Sequence, residues 1–284
     1  MEMNDFQKKL LEVYESFQKF CKQHDIQYYA YGGTLIGAIR HHGFIPWDDD
    51  IDVLMLPEDY QKFCSFKGKI NDHFDIVDSR DNGYWLYDLA KFVDTKTTLW
   101  EVKEHPFITG VYIDIFPLAE CNYSEGRKLL LNYRRLSFLL DRAMSSFSLT
   151  GFRENVNADK KFNLQSLIYA VLGLPLFKVI WKQKHTKCLN NIKKGNGDKY
   201  VSYESMYGER EIYKKEWFES SSSMPFETLT IPVPNGYHEI LTQVFGDYMQ
   251  LPPEEKRVSH HSHYFLDLNR RWTIDEIKDY LSKQ

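Results

Sequence analysis

Four aspartates fall within five positions in the stretch GFIPWDDDIDVLML, residues 43–56. Asp50 and Asp52 flank Ile51 at the entrance to an apolar run. If that run is a strand, residues two apart point to one face and both carboxylates project together. Two ionised carboxylates side by side repel strongly unless a cation neutralises them or one is protonated. Hard divalent ions such as Mg²⁺ or Mn²⁺ take oxygen ligands, commonly a few carboxylates completed by phosphate oxygens of a substrate. A third acid on a neighbouring strand would finish such a site, and Asp114 fits: it stands in YIDIF (112–116) between apolar residues, where a lone carboxylate is costly without a partner. Asp48 and Asp49 read instead as a solvated turn, Asp49 being out of phase with the pair and Asp48 following Pro46-Trp47.

The residues that could hold a substrate's phosphates lie just upstream. In YGGT (31–34), a glycine turn lets backbone N–H groups of Gly32, Gly33 and Thr34 approach an anion, with a helix N-terminus behind them. A glycine pair alone is usually a mere turn; glycine turn, helix, then Asp-x-Asp on the next strand is far more specific. That order is the signature of the nucleotidyltransferase superfamily. Lys91, in LAKFVD (89–94), alternates with apolar neighbours and reads equally as a pyrophosphate contact or as a snorkelling surface lysine. Arg40 lies with His41 and His42 between the two halves of the motif and is a further phosphate candidate; His42 reads better as solvated charge. A second basic group, Arg257, His260, His261 and His263, looks at first like a zinc set. With no cysteine nearby and a hard-metal site already expected, phosphate or acceptor contact fits better, and a mobile surface loop is the plain alternative.

These residues need a scaffold, and the chain predicts one. Its 284 residues, 43% hydrophobic and 27% charged, can bury a sizeable core. A net charge of −4 with no long basic run argues against nucleic acid. The four cysteines are scattered without a Cys-x-x-Cys pair, as in a reducing compartment. The opening residues carry no signal-peptide core, so a cytoplasmic location is expected. Helical spacing of Phe6, Leu10, Val13, Phe17 and Phe20 predicts a helix over 4–24. Strands are expected at IQYYAYGG, IDVLMLP, 74–78, 84–93, 97–101, 110–118 (closed by Pro117) and 228–234. Helices are expected at TLIGAIRHH, from Pro57, at 124–145, at about 160–194 and at Asn235–Phe245, while ESSSSMP (219–225) reads as a flexible connector. The mixture predicts an α/β (α+β) fold, a nucleotidyltransferase-like mixed sheet flanked by helices. Three parts are expected: a catalytic core over 1–120, a helical insertion over 121–200, and a closing part over 201–284.

The longer stretch YGGTLIGAIRHHGFIPWDDDIDV closely resembles the core motif of the LicD family of phosphotransferases. YIDIFPL resembles that family's second motif, and VPNGYHEILTQVFGDYMQLPPEEKRVSHH its closing segment. The resemblance runs from about residue 24 to 263 and is weakest over 124–200. It implies a bacterial enzyme that moves phosphocholine from CDP-choline, releasing CMP, to a sugar hydroxyl of a cell-surface glycan precursor (teichoic acid, lipopolysaccharide or capsule). Fukutin-type relatives transfer ribitol phosphate from CDP-ribitol, so a CDP-activated alcohol is the safer donor class. On this reading Asp50 and Asp52 hold one or two Mg²⁺ ions across the donor pyrophosphate, and Asp114 ligates the metal and serves as general base.

If the donor carries choline, its quaternary ammonium calls for an aromatic cage; Tyr84, Trp85, Tyr87 and Trp100 are candidates, with core packing the alternative for each. The apolar segment 164–181 is too short to span a bilayer. It reads either as buried helix or as an interfacial helix that would bring the enzyme to the inner face of the membrane, near a lipid-linked acceptor. Two rivals remain: a nucleotidyltransferase that adds NMP to a small molecule or sugar and releases pyrophosphate, and an inactive glycan- or nucleotide-binding homologue.

Overall fold

In a computed structural model, residues 3–78, 89–103, 107–145, 175–193, 195–204, 207–259 and 263–283 are described. Helix α1 (Asp5–Gln23) starts at a capping box: Asn4 accepts from the Gln7 N–H at 2.8 Å, and the Gln7 side chain accepts from the Asn4 N–H at 3.1 Å. Its stripe of Leu10, Val13, Tyr14, Phe17 and Phe20 is buried, and Phe17 lies edge-on to Phe63 and Phe92 with ring centroids 6.0 and 5.5 Å apart.

The surface beneath α1 is a mixed sheet. Strands β1 (Tyr29–Ala30), β2 (Asp52–Met55), β3 (Phe74–Val77), β4 (Ala90–Asp94) and β6 (Tyr112–Cys121) lie in the order β1-β2-β6-β4-β3. The β2–β6 pair is parallel and the others are antiparallel. The sheet continues from β6 into β7 (Lys199–Ser202) and β8 (Ile212–Lys214). Along β6 burial alternates. Ile113 and Ile115 are buried in the core that α1 covers, whereas Tyr112, Asp114 and Phe116 are half-buried on the other face.

Pro117 does not end this strand, as its sequence suggests it should. Opposite Met55, it is the last residue of β6 paired with β2, and from Leu118 onward β6 pairs with β7. The missing N–H therefore falls where the strand changes partners.

Helix α2 (Gly32–Ile36) runs into one π-helical turn, Gly37–His41, and ends at His42, whose φ of 57° is left-handed. Helix α3 (Pro57–Cys64) follows β2 with proline in its first turn. Helices α4 (Tyr123–Ser145) and α5 (Pro175–Lys193) pack together beyond the end of β6. They share a smaller core of Leu130, Tyr133, Cys188 and Ile192 with Val201 and Ile212. Most of the apolar segment 164–181 lies outside the described residues, as does the front of the strand expected at 84–93. Among the described residues no helix is long and apolar enough to cross a membrane.

The expected connector at 219–225 is instead strand β9 (Ser221–Phe226), paired antiparallel with β10 (Leu229–Pro234). Its serines are exposed on the hairpin, and Phe226 is the one residue of β9 buried in the core. Two short strands, β5 (Thr98–Trp100) and β11 (Phe265–Asp267), pair antiparallel. Helix α6 (Tyr237–Phe245) and helix α7 (Ile274–Ser282) complete the chain as described.

Candidate active site

The register of three strands builds the site. Asp52 on β2 is the cross-strand partner of Asp114 on β6, and Lys91 on β4 is the partner of Asp114 from the other side. Cross-strand partners share a face, so two carboxylates and an ammonium meet at one place. Lys91 Nζ donates to Asp114 Oδ1 at 2.8 Å and lies 3.2 Å from the centroid of the Tyr112 ring. The Tyr112 hydroxyl in turn donates to Glu101. Lys91 is only 4% exposed, so it is neither a snorkelling surface lysine nor a charge reaching out from the sheet. Its ammonium is directed at Asp114.

The glycine turn is tied to the same strand by its backbone. The Tyr31 N–H donates to the Asp52 carbonyl at 3.0 Å, the Asp52 N–H donates to Thr34 Oγ1 at 2.9 Å, and the Leu35 N–H returns to the Tyr31 carbonyl at 3.0 Å. The Thr34 hydroxyl thus anchors the strand by accepting this bond, with its O–H still able to donate. Gly32 has a φ of 53°, a conformation side chains disfavour. A Cβ on Gly33 would stand 2.4 Å from Asp48 Oδ2. A side chain at 33 would therefore displace the Asp48 carboxylate, which lies against the turn.

Burial dominates the electrostatics. It pushes the Asp52 carboxyl well above the usual carboxylate range, and Asp50, Asp114 and Asp48 push it further, against Lys91. Asp114 is also raised by burial, opposed by the charge and hydrogen bond of Lys91, with Glu101 and Asp50 raising it. The acids are therefore close enough to feel one another and short of positive charge. Among the described residues, no three His, Cys, Asp or Glu side chains converge tightly enough to hold a metal by themselves. A magnesium-like ion that keeps waters and takes phosphate oxygens needs only one or two carboxylates. Asp52 and Asp114 are a donor set of that kind.

A cleft of about 690 Å³ opens beside Gly33 and Asp48; Trp47, Tyr207, Tyr248 and Arg257 are among its walls. Arg40 borders it too, but its guanidinium donates to the Tyr248 and Gln250 carbonyls at 2.6 and 3.2 Å, so it pins that loop. The second basic group is brought to the aspartate loop: Arg257 lies over the Trp47 ring at 5.7 Å and Ser259 Oγ donates to Asp49 Oδ2 at 2.8 Å. His263 packs on Phe6, ring centroids 5.1 Å apart, away from the walls of the cleft. His260 and His261 lie outside the described residues, as do Tyr84, Trp85 and Tyr87. Trp100 is no open cage wall. It is 2% exposed, its indole N–H donates to the Val102 carbonyl at 2.7 Å, and Tyr264 packs edge-on against it.

One buried acid escaped the sequence reading. Glu211, 0% exposed, accepts from the Tyr31 hydroxyl and, at 3.1 Å, from the Tyr213 hydroxyl, both at Oε1. Its Oε2 is buried with no hydrogen-bond partner among the described residues. Burial pushes the carboxyl up to about 7, against the pull of Tyr31, Tyr213, the Tyr207 backbone and Arg134. In sequence it is one acid in the charged run GEREIYKKEWFE, and its only signal is the apolar Ile212 that follows.

A glycine turn, a helix, an acid at the head of the next strand and another acid beside it define a nucleotidyltransferase-like domain. The chain belongs to the LicD family. The family model described as LicD/FKTN/FKRP, nucleotidyltransferase domain, matches residues 25–144. The lipopolysaccharide cholinephosphotransferase LicD of Haemophilus influenzae is 31% identical over 261 residues, which cover 88% of this chain and 92% of that protein. An uncharacterised protein of Rickettsia typhi is 39% identical over 56 residues, 19% of this chain and 18% of its own length. Another from Rickettsia prowazekii is 40% identical over 55 residues, 18% of this chain and 21% of its own length.

Proposed function

We propose that the protein transfers phosphocholine, or a similar alcohol phosphate, from a CDP-activated donor to a sugar hydroxyl of a cell-surface glycan precursor, with release of CMP. The observation that carries this reading is the pairing of Asp52 and Asp114, with Lys91 behind them, directly against the Gly32-Gly33 turn. The similarity to a lipopolysaccharide cholinephosphotransferase along nearly all of its length favours lipopolysaccharide as the glycan and choline as the alcohol.

The residues divide the work. Main-chain N–H groups of Gly32, Gly33 and Thr34 cradle the donor phosphates. Asp52 and Asp114, with Asp50 close enough to add its charge, would hold Mg²⁺ or Mn²⁺, which would supply charge neutralisation on the pyrophosphate. Lys91 keeps Asp114 ionised, so that it can accept the proton of the attacking hydroxyl. The cleft beside Gly33, with the Trp47 platform and Arg257 at its wall, takes the acceptor. Positioning and charge neutralisation supply the acceleration, as in other in-line transfers at phosphorus. The enzyme works at the inner face of the membrane on a lipid-linked acceptor.

The test is product analysis. Purified protein, Mg²⁺, CDP-choline and a glycan extract should give metal-dependent CMP with choline phosphate on the glycan. CMP from CDP-ribitol or CDP-glycerol instead would keep the mechanism and change the alcohol. The nucleotidyltransferase description of the matched family model favours one other reading, transfer of NMP. Pyrophosphate from an NTP, with no CMP from any CDP-alcohol, would establish that reading instead.

A further inference from the structure

At the start of the glycine turn, Tyr31 makes three connections. Its N–H bonds the Asp52 carbonyl at 3.0 Å, its carbonyl receives the Leu35 N–H at 3.0 Å, and its hydroxyl bonds Glu211. Its ring lies against Phe116, centroids 4.9 Å apart, two residues along β6 from Asp114 on the same face. Tyr31 is therefore the residue through which anything that moves its hydroxyl would move both Gly32 and the Asp52 backbone.

We propose that Glu211 is a positioning residue, which through the Tyr31 hydroxyl fixes the Gly32-Gly33 turn against Asp52 when it is ionised and loosens it when it is protonated. The inference rests on the reading of that turn as the phosphate cradle. An ionised acceptor makes a shorter and stronger hydrogen bond than a neutral one, and here both hydroxyls converge on one oxygen, Oε1. Removing the proton from Glu211 thus strengthens the very bonds that hold Tyr31.

The titratable and charged groups facing Glu211 are few. Tyr31 comes from the end of β1, Tyr213 from β8, Tyr207 from the loop before Glu211, and Arg134 from α4. Tyr207 also feels Asp52, Asp48 and Asp50 as well as Glu211. Tyr207 and Tyr213 are held above their ordinary range by burial, whereas the Glu211 carboxyl is pushed up to about 7 and changes state near neutrality.

The experiment compares the whole protein with Glu211→Gln and Tyr31→Phe. Glutamine mimics the protonated acid, so CMP release by wild type and E211Q should be about equal at low pH and diverge above neutrality, wild type becoming about five- to tenfold faster. Y31F should show the same loss, and the double variant no further one. E211Q should melt no lower than wild type at pH 8, so that activity falls while the fold does not.

A wild-type to E211Q ratio that stays flat across pH, or a double variant with additive losses, overturns the proposal. Calorimetric binding of Mg²⁺-pyrophosphate to the same proteins gives a readout independent of transfer, and the affinity ratio should follow the same curve. A ratio without pH dependence, or no pyrophosphate binding at all, counts against Glu211. Intact pH-dependent binding without CMP from any CDP-alcohol would sink the transfer reading and leave the role of Glu211 standing.

Discussion

Two sets of carboxylates flank the glycine turn of this molecule, and they manage their charge by opposite means. Asp52 and Asp114, half-buried, are set side by side by the β2–β6 register and answered by one buried lysine. Behind the glycine turn, Glu211 has hydroxyls, a backbone amide and the charge of Arg134 around it, and its carboxyl is held near neutrality. In the first region burial and mutual repulsion oppose ionisation, which leaves room for more positive charge to arrive. The second lets the charge come and go with a proton. Both are unfavourable to folding in isolation, which is the usual condition of residues kept for chemistry.

The comparison can be broken most directly at Asp52. Asp52→Asn should lower the rate of CMP release on the order of 10³-fold while raising the melting temperature, because it removes a carboxyl whose ionisation burial opposes. Full activity in the variant would remove Asp52 from the site. Lys91→Met should destabilise the chain by about 3–5 kcal/mol in urea unfolding, since it strands Asp114 without its cation. Lys91→Met with Asp114→Asn should recover most of that loss, and failure to recover would mean that Lys91 acts through packing on Tyr112 instead.

Glu211 sharpens the contrast. Its carboxyl, raised from 4.5 to about 7 in the folded protein, binds its proton more tightly folded than unfolded. Its contribution is therefore present below pH 4.5 and lost as pH rises through 7, a change on the order of 3 kcal/mol. The difference in unfolding free energy between wild type and Glu211→Gln, followed from pH 4.5 to 8, should trace that loss. A constant difference would show that Glu211 does not titrate there. The smallest effect is expected at Ser259→Ala, which removes an exposed hydrogen bond to Asp49 and should change the KM for acceptor by less than about twofold.

The first region was legible in the sequence and the second was not, for a physical reason. Asp50, Asp52 and Asp114 interrupt apolar runs with period two, and a carboxylate in such a run announces that something must answer its charge. Lys91 follows the same period, although its partner turned out to be Asp114. Glu211 has no such frame: its neighbours are charged, and it is buried only because Tyr31, 180 residues earlier, and α4 close over it. Trp100, open in the sequence to either a ligand wall or core packing, took the second role. Its pairing with Phe265 makes it core. The serine run at 219–225 lacks any apolar alternation, and it became a strand only because the turn at Glu227 brings an apolar partner strand beside it.

The pairing of β5 with β11 also has a consequence in time. Thr98 carries two further ties to the later segment, its hydroxyl donating to the Arg270 carbonyl and accepting from the Trp272 N–H, each at 2.7 Å. These partners are separated by roughly 165 residues, and a ribosome adding about 5–20 residues per second needs on the order of ten to thirty seconds to cover that distance. For that interval the nascent chain holds Thr98-Leu99-Trp100 as an edge with no partner on that side, next to the Glu101 that braces Tyr112. Slower synthesis would lengthen that exposure and faster synthesis shorten it.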